Sequence, residues 1–469
     1  MPSRRDLYSY LVFAVLLLLA VCGVTLLAQG VTPAPSPTAP VPVTPPPLPP
    51  YVAPDYHEVL AGKTPLRVLL VAHKTMVAWK GDTTVHTSNI ATNQEVNVAK
   101  SGEMVGIVRT PESTCYLRQN GKNFCTAPGT IRLSSSKSIA IWTPTPDTWI
   151  TVRGPLIITS AVDNQFSISQ EIVLEEYLRN VVCTEMPSTF HTEALRVQAI
   201  IARTYTLAKL GRHAEDGADV CATEHCQMYG ADARRTREAD AAVNDTRGLV
   251  LLYKDQLADA YYHAVCGGVT DDAGYLWGPE NAQPYLVGGT KDTACTKDVP
   301  TIDDLLKTDD SYCKRAGSFK WTKEFSAAEV DALVAKNLTK VTGDPAAKIT
   351  RVTNMSVEER TPHGRALSLR VEGDGASYLV IGDQIRWLLG SGAPGPDGLW
   401  STLFDLTITR DPAGTIKSYA FRGAGRGHGI GLCQWGADGR ARTGQNYREI
   451  LAAYYPGTQL SNEKATGGK

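Results

Sequence analysis

The sequence predicts an α+β fold, with a β-rich block first, a helical pair next, and further strands after it. Three observations carry this reading. Between residues 60 and 165 short apolar runs (LRVLLVA, TMVAW, VNVA, MVGIV, TIRLS, IAIW) are punctuated by Gly, Ser and Asn, the pattern of strands and turns. From Leu174 to Leu207 the apolar period becomes helical. Strand-like runs then return, from GLVLLY and ADAYYHAV to ALSLRVEG, SYLVIG, TLFDLTITR and SYAFRG. A chain of 469 residues has room for two or three packed units. Its 47 basic and 48 acidic residues nearly cancel, which argues against a nucleic-acid partner, because a polyanion binder carries a basic surplus.

Arg4 and Arg5 precede an uncharged run, residues 11–28, rich in Leu and Val. It is near the lower limit of about 17 residues for a membrane span. Basic residues on its N-terminal side predict that residues 1–10 stay cytoplasmic. A signal peptide cut near Ala28 is the alternative, and either route exports the rest of the chain. Residues 29–59 are Pro-rich, with prolines at 33, 35, 37, 40, 42, 45, 46, 47, 49, 50 and 54, and read as an extended spacer.

Residues 60–165 form the expected β-rich N-terminal domain. Cys115 and Cys125 flank a polar YLRQNGKNF loop, and export permits a local disulfide between them, two free thiols being the alternative. Nothing in this block suggests chemistry.

The helical pair is the most informative stretch. Leu174, Leu178, Val181, Val182 and Glu185 follow helical spacing, so an apolar stripe ends in a carboxylate. Pro187 stops this helix, because it lacks an amide proton and restricts Met186 before it. Thr192 is the expected N-cap of the second helix, with Glu193 in the first turn, where the helix dipole favours an acid. Ala194, Leu195, Gln198, Ile201, Ala202, Tyr205 and Ala208 then continue along one side. Glu185 therefore sits beside a corner of Met186, Pro187 and Phe190. Such surroundings disfavour the ionised form and make a carboxylic acid able to donate a proton near neutral pH.

Three later stretches carry candidate chemistry. His213, Cys221, His225 and Cys226 suit a tetrahedral zinc ion, while a Cys221–Cys226 disulfide is the competing reading. His263, Cys266, Gly267, Gly268 and Thr270 form a loop where bare backbone lets a ligand approach, or a tight turn of no special role. In GAGRGHGIGLCQWGADGRA, glycines alternate from 423 to 431, with His428, Gln434 and Trp435 beside them. No phosphate loop or dinucleotide fingerprint is present. The stretch reads equally as a sugar-binding groove and as a closing strand with one packed Trp. Asn446 then caps a helix, YREILAAYY, which Pro456 and Gly457 end. Cys295 and Cys313 could staple the segment between these motifs.

The motifs LEEYL, VVxxEMP, EALxxQAxxARTY, HxxCGGxT and GHGxGxxQWGA resemble, in order, those of the SpoIID/LytB family, over roughly residues 150 to 460. The resemblance implies a catalytic region over 166–460, with the helical pair packed against β-rich parts around a cleft, and a tail at 461–469. Family enzymes are lytic transglycosylases of bacterial wall glycan, with the acid in the EMP motif, here Glu185. Other members enhance a wall amidase, so a glycan-binding protein without chemistry is the alternative. The resemblance places Gln198, Arg203, Tyr205, His263, Gly267, Gly268, Thr270, His428 and Gln434 at the substrate cleft, with Arg203 equally readable as an internal partner. It also favours a structural zinc ion on His213, Cys221, His225 and Cys226, closed by four protein ligands. The expected partners are peptidoglycan strands, a wall amidase, and the membrane through residues 11–28; the expected location is the bacterial cell envelope.

Two departures stand out. The family more often has serine where this chain has Cys266 and Cys433, and a disulfide joining these two loops is expected. A cysteine nucleophile is the rival, but no Cys–His–Asn set appears in one motif. Cys183 is expected to be buried and reduced. Only one prominent acid is present, which suffices for a transglycosylase, whereas ordinary glycosidases use two; Asp271 and Asp272 are the candidates for a second. A zinc hydrolase is disfavoured because no HExxH helix exists.

Overall fold

A computed structural model of the chain describes residues 51–110, 113–119, 121–144, 147–160, 164–230, 235–290, 292, 302–390 and 397–462. The expected cytoplasmic end, the apolar run 11–28, the Pro-rich spacer up to residue 50, Cys295 and the tail from 463 lie outside the described residues. Among the described residues no helix is long and apolar enough to cross a membrane.

The described chain divides into two compact units, one of residues 51–55, 64–173 and 210–222, the other of 56–63, 174–209 and 223–462. The division is not a single cut near residue 165. Residues 210–222 join the first unit because the short strand Val220–Cys221 pairs in parallel with Leu66–Lys74, Val68 opposite Val220 and Leu69 opposite Cys221.

The first unit holds a seven-stranded and a six-stranded sheet. Alternation explains how they share a core: along Ser138–Pro144 the residues Ile139, Ile141 and Thr143 are buried and their neighbours are not. Val77, Trp79, Ile107, Tyr116, Ile139 and Ile141 from one sheet cluster with Val85, Leu133, Leu156, Ile158, Phe166 and Ile168 from the other. Cys115 lies opposite Cys125 on paired strands, and the two are joined as a disulfide.

The second unit is built around the helix Thr192–Ala208. The helix Leu174–Glu185 packs on it through Leu174, Tyr177, Leu178, Val181 and Val182, the spacing of one helical face. Helices Arg237–Asp245, Gln434–Arg442 and Tyr447–Tyr454 and the strand Leu249–Tyr253 also contact it. Thr192–Ala208 is consequently buried nearly all round from Ala194 to Leu207, not along one stripe as its sequence suggests. Two of its threonines are satisfied internally: Thr204 donates to Ile200 O at 2.8 Å and accepts from Leu251 N at 2.9 Å, and Thr206 donates to Ala202 O at 2.7 Å. The N-cap is His191, not Thr192; its Nδ1 accepts from Glu193 N at 3.2 Å, doing with an imidazole what a hydroxyl was expected to do.

Two antiparallel three-stranded sheets and the helix Ala327–Thr342 form a separate core in this unit, where Val330, Val334 and Leu338 meet Leu369, Val371, Phe404, Tyr419 and Phe421. Ser326 and Glu329 form a capping box at the start of that helix, and Gly343 closes it in the left-handed conformation. The strands Tyr262–His263 and Leu432–Cys433 pair in parallel, which brings two of the sequence motifs together.

Candidate active site

Glu185 is the last residue of the helix Leu174–Glu185. Three elements of the second unit converge on its carboxyl. Met228 N donates to Oε1 at 2.8 Å, and Tyr262 Oη donates to the same oxygen at 2.9 Å. Gln434 Nε2 approaches Oε2 at 3.4 Å and Gln198 Oε1 at 3.3 Å. The residue as a whole is partly exposed, while the carboxyl itself is largely enclosed. Loss of water is the largest influence on its acidity and pushes its pKa up. The three donors oppose that rise, while the negative charge of Glu224 adds to it. The outcome is an acid that holds its proton to higher pH than an ordinary glutamate.

The donors are themselves held. Thr184 Oγ1 accepts from Gly230 N at 3.2 Å, fixing the loop that carries Met228. Gln227 is buried, donates to Thr206 Oγ1 at 2.8 Å and sits 3.1 Å from Tyr262 Oη. Tyr262 is fixed from the glycine-rich stretch: His428 Nε2 donates to Tyr262 O at 2.8 Å, and His428 Nδ1 accepts from Ile430 N at 3.0 Å. Both ring nitrogens of His428 are thus used on backbone, which requires the neutral ring with its proton on Nε2. Burial agrees, pushing the His428 pKa down to about 4. The close approach needs bare backbone. Gly431 has φ of +67° and a Cβ there would collide with Tyr261 O.

The other expected site residues separate into two groups. Gln198 and Gln434 are brought to Glu185. Arg203 is fully buried and turned into the core, its Nε and Nη2 donating to Glu175 at 2.9 and 2.8 Å and its other contacts reaching the carbonyls of Leu249 and Val243. Of its two readings, the internal partner fits this geometry and the cleft does not. Tyr205 is buried with its ring edge-on to Tyr261. His263 is buried, its Nδ1 donating to Ile430 O at 3.1 Å, and burial holds the ring neutral. Thr270 Oγ1 accepts from Thr290 N at 3.0 Å, and Gly267 approaches the backbone of Ala424, so the bare backbone of this loop serves close packing of the chain on itself. Trp435 is partly exposed, edge-on to Phe190 at 4.8 Å between ring centres. Asp271 is fully buried, accepting from Thr361 Oγ1 at 2.6 Å, with Arg365 3.7 Å away; Asp272 caps the helix Ala273–Trp277. Both candidate second carboxylates have structural work.

Of the four expected zinc ligands, His213 and Cys221 belong to the first unit, and His225 and Cys226 to the second. His225 Nδ1 lies 3.8 Å from Cys226 Sγ, close to the nitrogen–sulfur edge of about 3.6 Å in a tetrahedral zinc site. Cys266 and Cys433 are free thiols, not the expected disulfide; Cys266 N instead donates to Cys433 Sγ at 3.2 Å. Cys183 is not in a disulfide; it is only partly buried, and its thiol donates to Asn180 O at 3.3 Å.

Residues 162–253 match the family model of SpoIID, the stage II sporulation protein. The chain is 28% identical over 312 residues to stage II sporulation protein D of Bacillus subtilis, covering 63% of this chain and 76% of that one. The chain is similar to members of the SpoIID/LytB family. Over 301 residues the chain is also 30% identical to a B. subtilis protein named amidase enhancer, covering 61% of this chain but only 40% of that longer one. An uncharacterised protein of Brachyspira hyodysenteriae is 28% identical over 294 residues. Residues 271–431 match a domain of unknown function, DUF8618, which includes the stretch that carries His428.

Sequence reasoning missed Tyr262, Gln227, Met228 and Glu224. Tyr262 had a signal, since it directly precedes His263 in the HxxCGGxT motif. Gln227 and Met228 also follow directly on an expected ligand, Cys226. The backbone donor of Met228 leaves no trace in residue identity.

Proposed function

We propose that this chain is a peptidoglycan lytic transglycosylase in which Glu185 is the single acid and base. The observation that carries this is the Glu185 carboxyl itself, raised in pKa by desolvation and gripped by Met228 N, Tyr262 Oη and Gln434 Nε2 on a partly exposed residue. Protonated Glu185 gives its proton to the glycosidic oxygen between muramic acid and glucosamine as the bond from the anomeric carbon to that oxygen breaks. The sugar's own 6-hydroxyl then bonds to the anomeric carbon, and its proton returns to Glu185. The proton is used and restored, so one residue serves twice and no water is consumed. Tyr262 and Met228 stabilise the carboxylate between the two steps. A second carboxylate is not required, in keeping with the structural engagement of Asp271 and Asp272.

The second reading is an enhancer of a wall amidase that binds glycan without cleaving it, favoured by the 30% identity to a protein of that name. In both readings the chain works in the bacterial envelope, held by residues 11–28 or released after their cleavage. A zinc ion on His213, Cys221, His225 and Cys226 fits the donor set of two imidazoles and two thiolates; with four protein ligands it would brace the loop and leave no position for a reactive water.

The test is to digest purified wall glycan, intact and stripped of peptides, with the full chain in heavy-oxygen water. Anhydro-muramic ends without heavy oxygen support the transglycosylase. Heavy oxygen at the new ends would mean hydrolysis. No cleavage, with glycan binding and a faster partner amidase, would favour the enhancer.

A further inference from the structure

Cys266, Cys313 and Cys433 are far apart in sequence and meet inside the second unit. All three are fully buried and free, with their sulfurs within 4.8 Å of one another. The Cys266 and Cys313 sulfurs are 3.7 Å apart, well beyond the bond of about 2.05 Å in a disulfide. A tetrahedral zinc thiolate with Zn–S of about 2.3 Å has a sulfur–sulfur edge of about 3.8 Å, close to what is found.

Asp292 lies beside the trio. Its Oδ2 lies 3.5 Å from Cys266 Sγ. Asp292 is fully buried and already oriented: Arg440 donates to Oδ1 from Nε at 3.0 Å and Nη2 at 2.8 Å, and Tyr454 Oη donates to Oδ2. The sulfurs also have a shell of donors. Cys266 N and Gly436 N each reach Cys433 Sγ at 3.2 Å, Gly268 N reaches Cys266 Sγ at 3.3 Å, and Ser311 Oγ lies 3.2 Å from Cys313 Sγ. Such outer bonds orient ligands and support thiolate charge at metal centres.

We propose that Cys266, Cys313 and Cys433 bind one zinc ion as a structural staple, with the Asp292 carboxylate beside it. Binding releases the three thiol protons to solvent. The Arg440 guanidinium offsets part of the excess negative charge of three thiolates and a carboxylate. The ion would tie the Cys266 loop and the Ser311–Cys313 turn to Cys433, the N-cap of the helix whose first residue, Gln434, reaches Glu185. This site is separate from the His213, Cys221, His225 and Cys226 set and does not depend on the reaction proposed above.

The test counts zinc per full chain by elemental mass spectrometry. Cys313→Ser and Cys433→Ser should each hold one zinc fewer than the wild type; an unchanged count overturns the proposal. Two further readouts leave this cluster intact. Wild-type chain unfolded in an alkylating reagent without reductant should label at all three cysteines, and a disulfide within the trio overturns the proposal. In the Cys221→Ser/Cys226→Ser chain, added cobalt should still give thiolate-to-metal absorption, and its absence also overturns the proposal.

Discussion

Tyr262 gives its phenolic proton to Glu185 at 2.9 Å, across 77 residues of sequence, while the backbone carbonyl of the same tyrosine is held by His428 at 2.8 Å. The acid is therefore tuned by a residue from one motif and steadied by a residue from another.

Removing the phenol with Tyr262→Phe should push the Glu185 pKa further up, because burial already raises it and a bond favouring the ionised form is lost. A bond to a charged group is worth about 1.5–3 kcal/mol, so donation of the proton to the glycosidic oxygen in the first step should slow by about ten- to a hundredfold. In a pH–rate profile the alkaline limb should move to higher pH and the maximum should fall. An unshifted limb would detach Tyr262 from the acid.

Glu185 should also weaken the fold at neutral pH. Its folded pKa is raised, so the protonated form favours the native state at pH values below the unfolded pKa, and that contribution is lost as pH rises through the folded pKa. Glu185→Gln should therefore melt close to the wild type near pH 4 and above it near pH 8. Thermal melts at the two pH values check this; equal differences at both would contradict it.

His428 carries the opposite sign. Burial lowers its pKa to about 4, so its neutral form stabilises the fold above the unfolded value of about 6.5, and the contribution disappears as pH falls toward 4. His428→Asn keeps a donor for Tyr262 O and removes the titration, so its stability should fall less between pH 6.5 and 4 than that of the wild type. His428→Ala should lower kcat several-fold with KM little changed, since His428 steadies Tyr262 through its backbone.

The Arg203–Glu175 pair is buried between the two central helices, with the guanidinium fully enclosed. Breaking it leaves an uncompensated charge in the core, a loss of about 3–5 kcal/mol. Arg203→Leu and Glu175→Leu should each lower the denaturant midpoint sharply, and the double variant should recover part of the loss. Activity lost in either single variant at full stability would instead put Arg203 at the substrate.

How much of this was legible in the sequence follows from which interactions are local. The helix Leu174–Glu185 and its stop at Pro187 are written in spacing that any segment displays by itself, and so are the alternating strands of the first unit. The burial of Thr192–Ala208 on all sides was not legible, because Thr204, Thr206 and Arg203 look like a solvent face until partners from other elements are known. Histidine as an N-cap was missed for a similar reason: Thr192 is the better intrinsic cap, but the helix begins one residue earlier than that choice implies. The motifs located Glu185, Gln198 and Gln434, which the fold does bring together, and proposed ligand contacts for His263, Thr270 and Gly267 that the fold spends on its own backbone. The meeting of Cys313 with Cys266 and Cys433 has no trace in spacing at all.

The measurement that tests the central claim most directly compares wild-type chain with Glu185→Gln on wall glycan, reading released fragments by mass spectrometry. The wild type should release fragments ending in anhydro-muramic acid, lighter by one water than hydrolysis products, and Glu185→Gln should still bind glycan and release none. Anhydro ends at an undiminished rate from Glu185→Gln, or no cleavage by the wild type on any wall glycan, would contradict Glu185 as the acid and base of a lytic transglycosylase.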